Sequence, residues 1–431
     1  MVSFVKGQSV PVNIGGAAEI ICKLGEGGQG AVYKVSYMKR EYALKWYGNN
    51  IKNIDKFRKN LENNIRKKAP SESFIWPEFL TVKSGGGFGY LMKLRPEGYS
   101  DFSDFLLAKV HFSSIDAIIN AALNITRAFR ELHRCGFSYQ DLNDGNFFID
   151  HETGDVLICD NDNVAPYGEN LGIAGKCRYM APEVVRSLKL PDIHTDRFSL
   201  SVILFRLLFI DHPLEGKRTM CPCMTEQLEH KFYGTEPVFI FDPDNDSNRP
   251  VRGVHANVLR FWDVYPQFVK DMFIRAFSHD VMCGKSPRIT DSEWVNMFLK
   301  LRDCKISCPC GCETFIDIQK HSSLCANCHS EIPRPPLLKT SSYSLVMFPK
   351  NKLYENHTDC ESTNFRTVTG EVIRSSGNSA IWGLRNRSGY PWTAKMKDGT
   401  EKKIDNNEVL VITRTKSVKF RNITAEIILS N

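Results

Sequence analysis

Residues 137–150 read FSYQDLNDGNFFID, and residues 156–162 read VLICDND. Each stretch joins strand-favouring aromatic and β-branched residues to Asp, Asn and Gly, which favour turns. Two short strands are predicted here, around NFFID and DVLICD. Asn146 and Asp160 lie at their ends, fourteen residues apart, and Asp141 comes five residues before Asn146. Any one of the three alone reads as a turn residue. What lies upstream gives the set its meaning.

Gly25-Glu26-Gly27-Gly28-Gln29-Gly30-Ala31-Val32 interrupts an alternating stretch, AEIICKL, and a second strand pattern follows at once. Glycines allow a backbone to approach phosphate oxygens and to offer them its N–H groups. A dinucleotide-binding loop has nearly the same spacing, but there a helix must follow, not a strand. The strand pattern EYALKWY carries Lys45, at a distance from which its ammonium can reach phosphates held by the loop. Such a lysine needs a carboxylate to hold it. Glu62, the only acidic residue between Asp55 and Glu72, is assigned to that pair; basic neighbours on the exposed face of its helix compete for it.

With the glycine loop, Lys45 and the 137–162 segment in this order, the chain resembles the eukaryotic-like protein kinase family. The family's H-R-D-L-x-x-x-N loop corresponds to Tyr139, Gln140, Asp141 and Asn146, and its D-F-G to Asp160, Asn161 and Asp162. The resemblance implies ATP and Mg2+ as cofactors and Ser/Thr hydroxyls of protein substrates as acceptors. It makes Asp141 the residue that orients the acceptor hydroxyl, and Asn146 and Asp160 the Mg2+ ligands. Gly25, Gly27, Gly30 and Val32 would cover the nucleotide. Met92 falls at the gatekeeper position, and the backbone near Lys93 and Arg95 would meet the adenine. Met180-Ala181-Pro182-Glu183 matches the A-P-E segment, which implies a pair between Glu183 and Arg288. Asp196 matches the aspartate that holds the catalytic-loop backbone.

Three departures from the pattern are informative. The arginine before the catalytic aspartate is Gln140, and no Ser or Thr occurs between Asn163 and Glu183, where Tyr167 and Tyr179 are the only hydroxyl side chains. Switching by Ser/Thr phosphorylation of this segment is therefore not expected. The lysine two residues after the catalytic aspartate is Asn143; Lys176 is read as supplying the missing cation, against a solvated loop lysine. Asp162 replaces the glycine of D-F-G. A pseudokinase scaffold and a small-molecule phosphotransferase of the aminoglycoside or choline type are the competing readings.

The rest of the chain fits an α+β, bilobal kinase fold over 16–302, with an N-lobe at 16–92 and a C-lobe at 93–302. Helices are predicted over 51–68, with Phe57, Leu61 and Ile65 on one stripe, and over 113–136, ending at Gly136. HTDRFSLSVILFRLLFI reads as a buried helix, residues 211–255 as irregular, and 256–302 as helical again. Behind the kinase frame, Cys308-Pro309-Cys310 and Cys325-Ala326-Asn327-Cys328 resemble a zinc ribbon holding a structural Zn2+ over 303–336. The first pair has one spacer residue where two are usual, so Cys312 competes with Cys308 as ligand. Residues 337–431 alternate in short runs with turn signals and predict an all-β interaction domain, similar to a forkhead-associated sandwich near WGLRNRSGYPW, although the Ser-x-x-His pair of that family is missing.

The chain carries a formal net charge of +7 over 431 residues, which does not argue for DNA or RNA as partner. The longest apolar run, Ser199 to Ile210, contains Arg206 and is too short to span a bilayer, and the fourteen cysteines suit a reducing, cytoplasmic setting. The whole arrangement resembles bacterial kinases associated with tellurium-resistance and stress genes. That likeness implies a phosphatase and a von Willebrand A-type protein as partners.

Overall fold

The computed structural model describes residues 3–27, 30–48, 54–172, 175–375, 377 and 381–429. Gly28 and Gln29 of the glycine loop, and residues 51–53, the expected first turn of the 51–68 helix, lie outside them. The chain forms two compact units. One comprises Met1–Phe261 and Asp271–Val295, the other Trp262–Lys270 and Asn296–Asn431.

The first unit opens with an antiparallel sheet of β1 (Ser9–Pro11), β2 (Ala17–Glu26), β3 (Ala31–Tyr37), β4 (Arg40–Tyr47), β5 (Pro77–Leu80) and β6 (Phe88–Met92), in the order β1-β2-β3-β4-β6-β5. Side chains alternate between faces along a strand, so β4 serves two cores. Tyr42, Leu44 and Trp46 join Tyr33, Val35 and Leu91 on one side. Ala43 and Tyr47 join Phe57, Leu61, Phe88 and Tyr90 on the other. Lys45, between Ala43 and Tyr47 in phase, is thereby carried into the second core. Helix α1 (Ile54–Lys67) covers that face with Phe57 and Leu61 buried and Ile65 partly so, as its stripe predicts.

Below the sheet, α2 (Ile115–Arg134) starts on Ser114, whose side chain accepts from Ala117 N, and ends before Gly136, which sits at φ 73°. Short strands β7 (Tyr99–Asp101), β8 (Phe147–Asp150) and β9 (Val156–Ile158) form a three-stranded sheet with β8 in the middle. Helix α3 (Ile193–Phe209) is capped by Asp192 and buried nearly all round, which its apolar sequence requires. Phe205 packs edge-on against Phe273 at 5.3 Å, and Phe273 lies tilted against Trp294 at 4.9 Å. Residues 211–255 are not wholly irregular. Thr225 caps a helical turn at Glu226–Glu229 that continues as a wider π turn over His230–Thr235. The Pro and Asp of the surrounding sequence hide that cap. No helix among the described residues is long and apolar enough to cross a membrane.

The second unit holds two hairpins, Lys305–Ser307 with Glu313–Phe315 and Ser322–Leu324 with Glu331–Pro333. Ten strands follow: β10 (Leu337–Lys339), β11 (Ser344–Val346), β12 (Lys352–Tyr354), β13 (Val368–Arg374), β14 (Trp382–Asn386), β15 (Trp392–Met396), β16 (Glu401–Ile404), β17 (Val409–Val411), β18 (Thr415–Lys419) and β19 (Thr424–Ile428). They form one sheet ordered β11-β10-β19-β18-β15-β16 and another ordered β12-β13-β14-β17. Leu338, Trp392 and Val418 of the first sheet share a core with Leu353, Val372 and Leu384 of the second, which makes the region a β-sandwich.

Candidate active site

The glycine loop closes through Gly27 and Gly30, whose N–H groups each bond the other's carbonyl at 2.9 and 3.3 Å. Gly30 is obligatory for a second reason: a Cβ there would strike the carbonyl oxygen of Trp46 on β4. Val32 stands opposite Lys45 in the β3–β4 register, and Lys45 opposite Tyr90 in the β4–β6 register. Val32, Ala43, Met92, Leu94, Phe148 and Leu157 belong to one apolar cluster, in which Val32, Leu94, Phe148 and Leu157 stay partly open. That is the composition expected of a site for a flat aromatic base. Lys93 and Arg95 follow Met92 at the end of β6; Arg95 lies over the Phe148 ring at 4.4 Å and 3.6 Å from Asp101.

Lys45 Nζ lies 3.1 Å from Asp160 Oδ1 and 2.9 Å from Asp162 Oδ2. Burial lowers the pKa of this ammonium, but Asp162 and Asp160 outweigh it and hold the group firmly charged. The expected Lys45–Glu62 pair is replaced. Glu62 is on the exposed face of α1, 3.4 Å from Arg58. The helix turns Asn60, Leu61 and Asn64 inward instead, and both asparagines donate to Val164 O, at 2.8 and 2.9 Å.

Asp141 and its neighbours form a connected polar loop. Asn143 Nδ2 donates to Asp141 Oδ1 at 3.2 Å, and Asn143 N donates to Asn146 Oδ1 at 2.7 Å. Asn146 O accepts from Cys159 N at 2.9 Å, which sets the loop directly beside Asp160. Lys45, Asp160, Asn146 and Asp141 are thus linked stepwise from strand to loop. Asp160 takes a left-handed φ of 54°, as does Gln140 at 70°. Burial pushes the Asp141 carboxyl up to about 6, with the Asp160 charge adding to it against Asn143 and Lys176. A carboxylate poised near neutrality is suited to proton transfer. Lys176 Nζ reaches Asp144 Oδ1 at 3.3 Å rather than Asp141. Arg206 of α3 takes the other oxygen of Asp144 at 3.0 Å and also binds the Tyr179 hydroxyl.

Asp196 holds the loop before Asp141 by its backbone. Oδ2 accepts from Tyr139 N at 2.6 Å and Oδ1 from Gln140 N at 3.2 Å. His133 bridges two carboxylates, with Nδ1 2.9 Å from Asp291 and Nε2 3.4 Å from Asp196. Burial alone would lower its pKa, yet hydrogen bonds to Asp196 and Asp291 raise it to about 9. A raised histidine pKa stabilises the fold fully below the unfolded value of about 6.5 and loses that contribution as pH climbs through about 9. The thermal midpoint should therefore fall as pH rises across that window, and His133→Gln should flatten the slope, read by scanning fluorimetry.

The A-P-E segment is tied as expected, with Arg288 2.7 Å from Glu183. Gln140 does something its sequence did not suggest. Its Nε2 donates to Glu169 O at 2.6 Å, while its Oε1 accepts from Asn170 Nδ2 at 3.3 Å and Leu171 N at 3.4 Å. Tyr179 is buried and Tyr167 exposed.

In the second unit the Sγ atoms of Cys308, Cys310, Cys325 and Cys328 all lie within 4.8 Å of one another. Cys308–Cys328 and Cys310–Cys325 are 3.6 and 3.7 Å apart. Four thiolates about 2.3 Å from a tetrahedral zinc would be spaced by about 3.8 Å, so the cluster is compatible with structural zinc. Cys312 is not one of these four, and its thiol lies on Glu313 O at 3.2 Å, which favours Cys308 as the ligand.

Residues 18–236, just over half of the chain, match the family model described as the protein kinase domain. No curated protein matches the chain.

Proposed function

The chain belongs to the protein kinase domain family, and from that premise we propose that it transfers the γ-phosphate of ATP, with Mg2+, to Ser or Thr hydroxyls of partner proteins. One observation carries the reading: Lys45 meets Asp160 at 3.1 Å beside a hydrogen-bonded loop that contains Asp141 and Asn146. The site residues divide the work as follows. Lys45 orients the α- and β-phosphates under the glycine loop, and Val32 and Met92 flank the base. Asp141 orients the acceptor hydroxyl and takes its proton. Lys176, held over the loop by Asp144, supplies positive charge near the transferred group.

Asn146 and Asp160 would hold Mg2+. Both offer hard oxygen donors, and the Asp160 side chain is 43% exposed. Bound there, the ion would offset charge on the phosphates. Transfer from radiolabelled ATP to proteins of a cell lysate, followed by phosphosite mapping, tests the reading. No transfer by wild type in magnesium would end it.

We infer that the segment after Asp160 works without phosphorylation. Gln140 grips it at Glu169, Asn170 and Leu171 through a neutral carboxamide, where the family's arginine would await a phosphate. Phosphatase-treated protein should keep its turnover within about twofold. A phosphate on Tyr167 or Tyr179 whose removal abolished turnover would contradict this.

Residues 303–336 are proposed to be a zinc-ribbon knuckle, and 337–431 a forkhead-associated-type interaction domain; the four-thiol cluster and the two-sheet sandwich support these assignments. Zinc content near one ion per chain is expected by mass spectrometry, retained in Cys312→Ser and lost in Cys308→Ser. A phosphatase and a von Willebrand A-type protein, implied by the resemblance to tellurium-resistance-associated kinases, are the proposed partners.

A further inference from the structure

A lysine that aligns phosphates needs a fixed counter-charge, and α1 offers none: Glu62 pairs outward with Arg58 while Asn60, Leu61 and Asn64 face in. Asp162 is built for the task. Its side chain is fully buried and accepts from Lys45 Nζ at 3.0 Å on Oδ1 and 2.9 Å on Oδ2, from Tyr90 hydroxyl at 3.1 Å, and from Tyr47 hydroxyl. Lys45 and Tyr47 are two apart on β4 and so share a face, and Tyr90 stands opposite Lys45 on β6. A buried carboxylate is strongly disfavoured unless it is paired and hydrogen-bonded on both oxygens. Here every donor around it comes from the sheet that carries the lysine.

Asp160 differs. It gives Lys45 one oxygen, at 3.1 Å, and its side chain remains 43% exposed. It can turn toward another cation without leaving the ammonium unpaired. The helix, relieved of the counter-charge, is tied down separately through the two amides on Val164 O.

We propose that Asp162 is the positioning residue for Lys45, taking over from a helix-borne glutamate, so that the counter-charge of the phosphate-aligning lysine comes from the 160–164 segment and not from α1. The proposal rests on the kinase reading of Lys45. Its consequence is that the charge of Glu62 is dispensable, while the negative charge of Asp162 is not.

The test uses the full chain as wild type, Asp162→Asn and Glu62→Gln. Three quantities are read: the Kd for ATP in EDTA, the split of kcat against KM in magnesium, and the pH profile of Lys45 acylation by an ATP acyl phosphate. Asp162→Asn should weaken ATP binding in EDTA by about tenfold and lower kcat by about 10²-fold. It should also move the acylation profile to lower pH by at least about one unit, because the ammonium loses its main counter-charge. A purely structural role would leave that profile in place. Glu62→Gln should stay within about twofold of wild type in all three. If Asp162→Asn does not fold, Tyr90→Phe keeps the charge but removes one donor, and kcat should then fall by about three- to tenfold with the acylation profile unmoved. A folded Asp162→Asn with wild-type kcat and profile, a Tyr90→Phe at wild-type kcat when Asp162→Asn does not fold, or a Glu62→Gln that loses the activity, would overturn the proposal. Wild type that binds no ATP and transfers no phosphate would instead overturn the kinase reading on which it stands.

Discussion

Replacing Asp141 with asparagine should lower kcat by about 10²–10⁴-fold while leaving the Kd for ATP within about threefold. The carboxylate lies in the loop, not against Lys45, so binding should be spared. Its partner Asn143 donates from Nδ2 at 3.2 Å to Oδ1, and an asparagine in its place can still accept there through its own oxygen. Geometry would be kept and basicity lost. The pH profile offers an independent check. With the Asp141 carboxyl raised to about 6 by burial, turnover should decline as pH falls through that value, because the protonated acid cannot accept the hydroxyl proton. Asp141→Asn should show its residual rate without this acidic limb. A variant that kept more than about a tenth of wild-type kcat would show that Asp141 does not serve the transfer step.

The second large effect concerns stability. Asp196→Ala should destabilise the first unit by about 3–5 kcal/mol. The lost carboxylate accepts from the backbone N–H groups of Tyr139 and Gln140 and faces His133. All are buried, and removal leaves donors without partners where water has little access. His133 would keep only Asp291 as counter-charge. Chemical denaturation followed by tryptophan fluorescence gives the magnitude, and a loss below about 1 kcal/mol would mean that water or a neighbour fills the gap. Asp196→Asn should recover part of the loss, since its oxygen can still accept one of the two N–H groups.

Much of this site could be read from residues in order. The glycine loop, Lys45, Asp141, Asn146 and Asp160 stood out as candidates by residue type, local pattern and order along the chain, and the structure brings Lys45 to Asp160 and joins Asp141 to Asn146 through Asn143. Buried strands such as β4 were equally plain, since their composition leaves no other home. Glu62 was not legible. Helical phase decides which side of α1 faces the lysine, and a polar helix with seven Lys or Arg between Lys52 and Lys68 gives its glutamate several cations to choose from. Asp162 was legible only as a departure from the family pattern. Its meaning depends on Tyr47 and Tyr90, some 115 and 72 positions away, arriving with their hydroxyls at one point. Spacing alone also left Cys308 and Cys312 equivalent; the thiol of Cys308 joins the four-sulfur set and that of Cys312 lies on Glu313 O. Residues 303–336 and 337–431, read as separate pieces, lie in one compact unit together with Trp262–Lys270.

The carboxamide of Gln140 has a consequence for how such a molecule can be governed. A covalent on–off cycle at this segment needs a latch whose grip depends on an added charge, and an amide gripping main-chain groups holds equally well before and after any such addition. On the proposed reading the grip of Gln140 needs no such addition, and changes in the amount of the chain or in its access to partner proteins would leave that grip as it is.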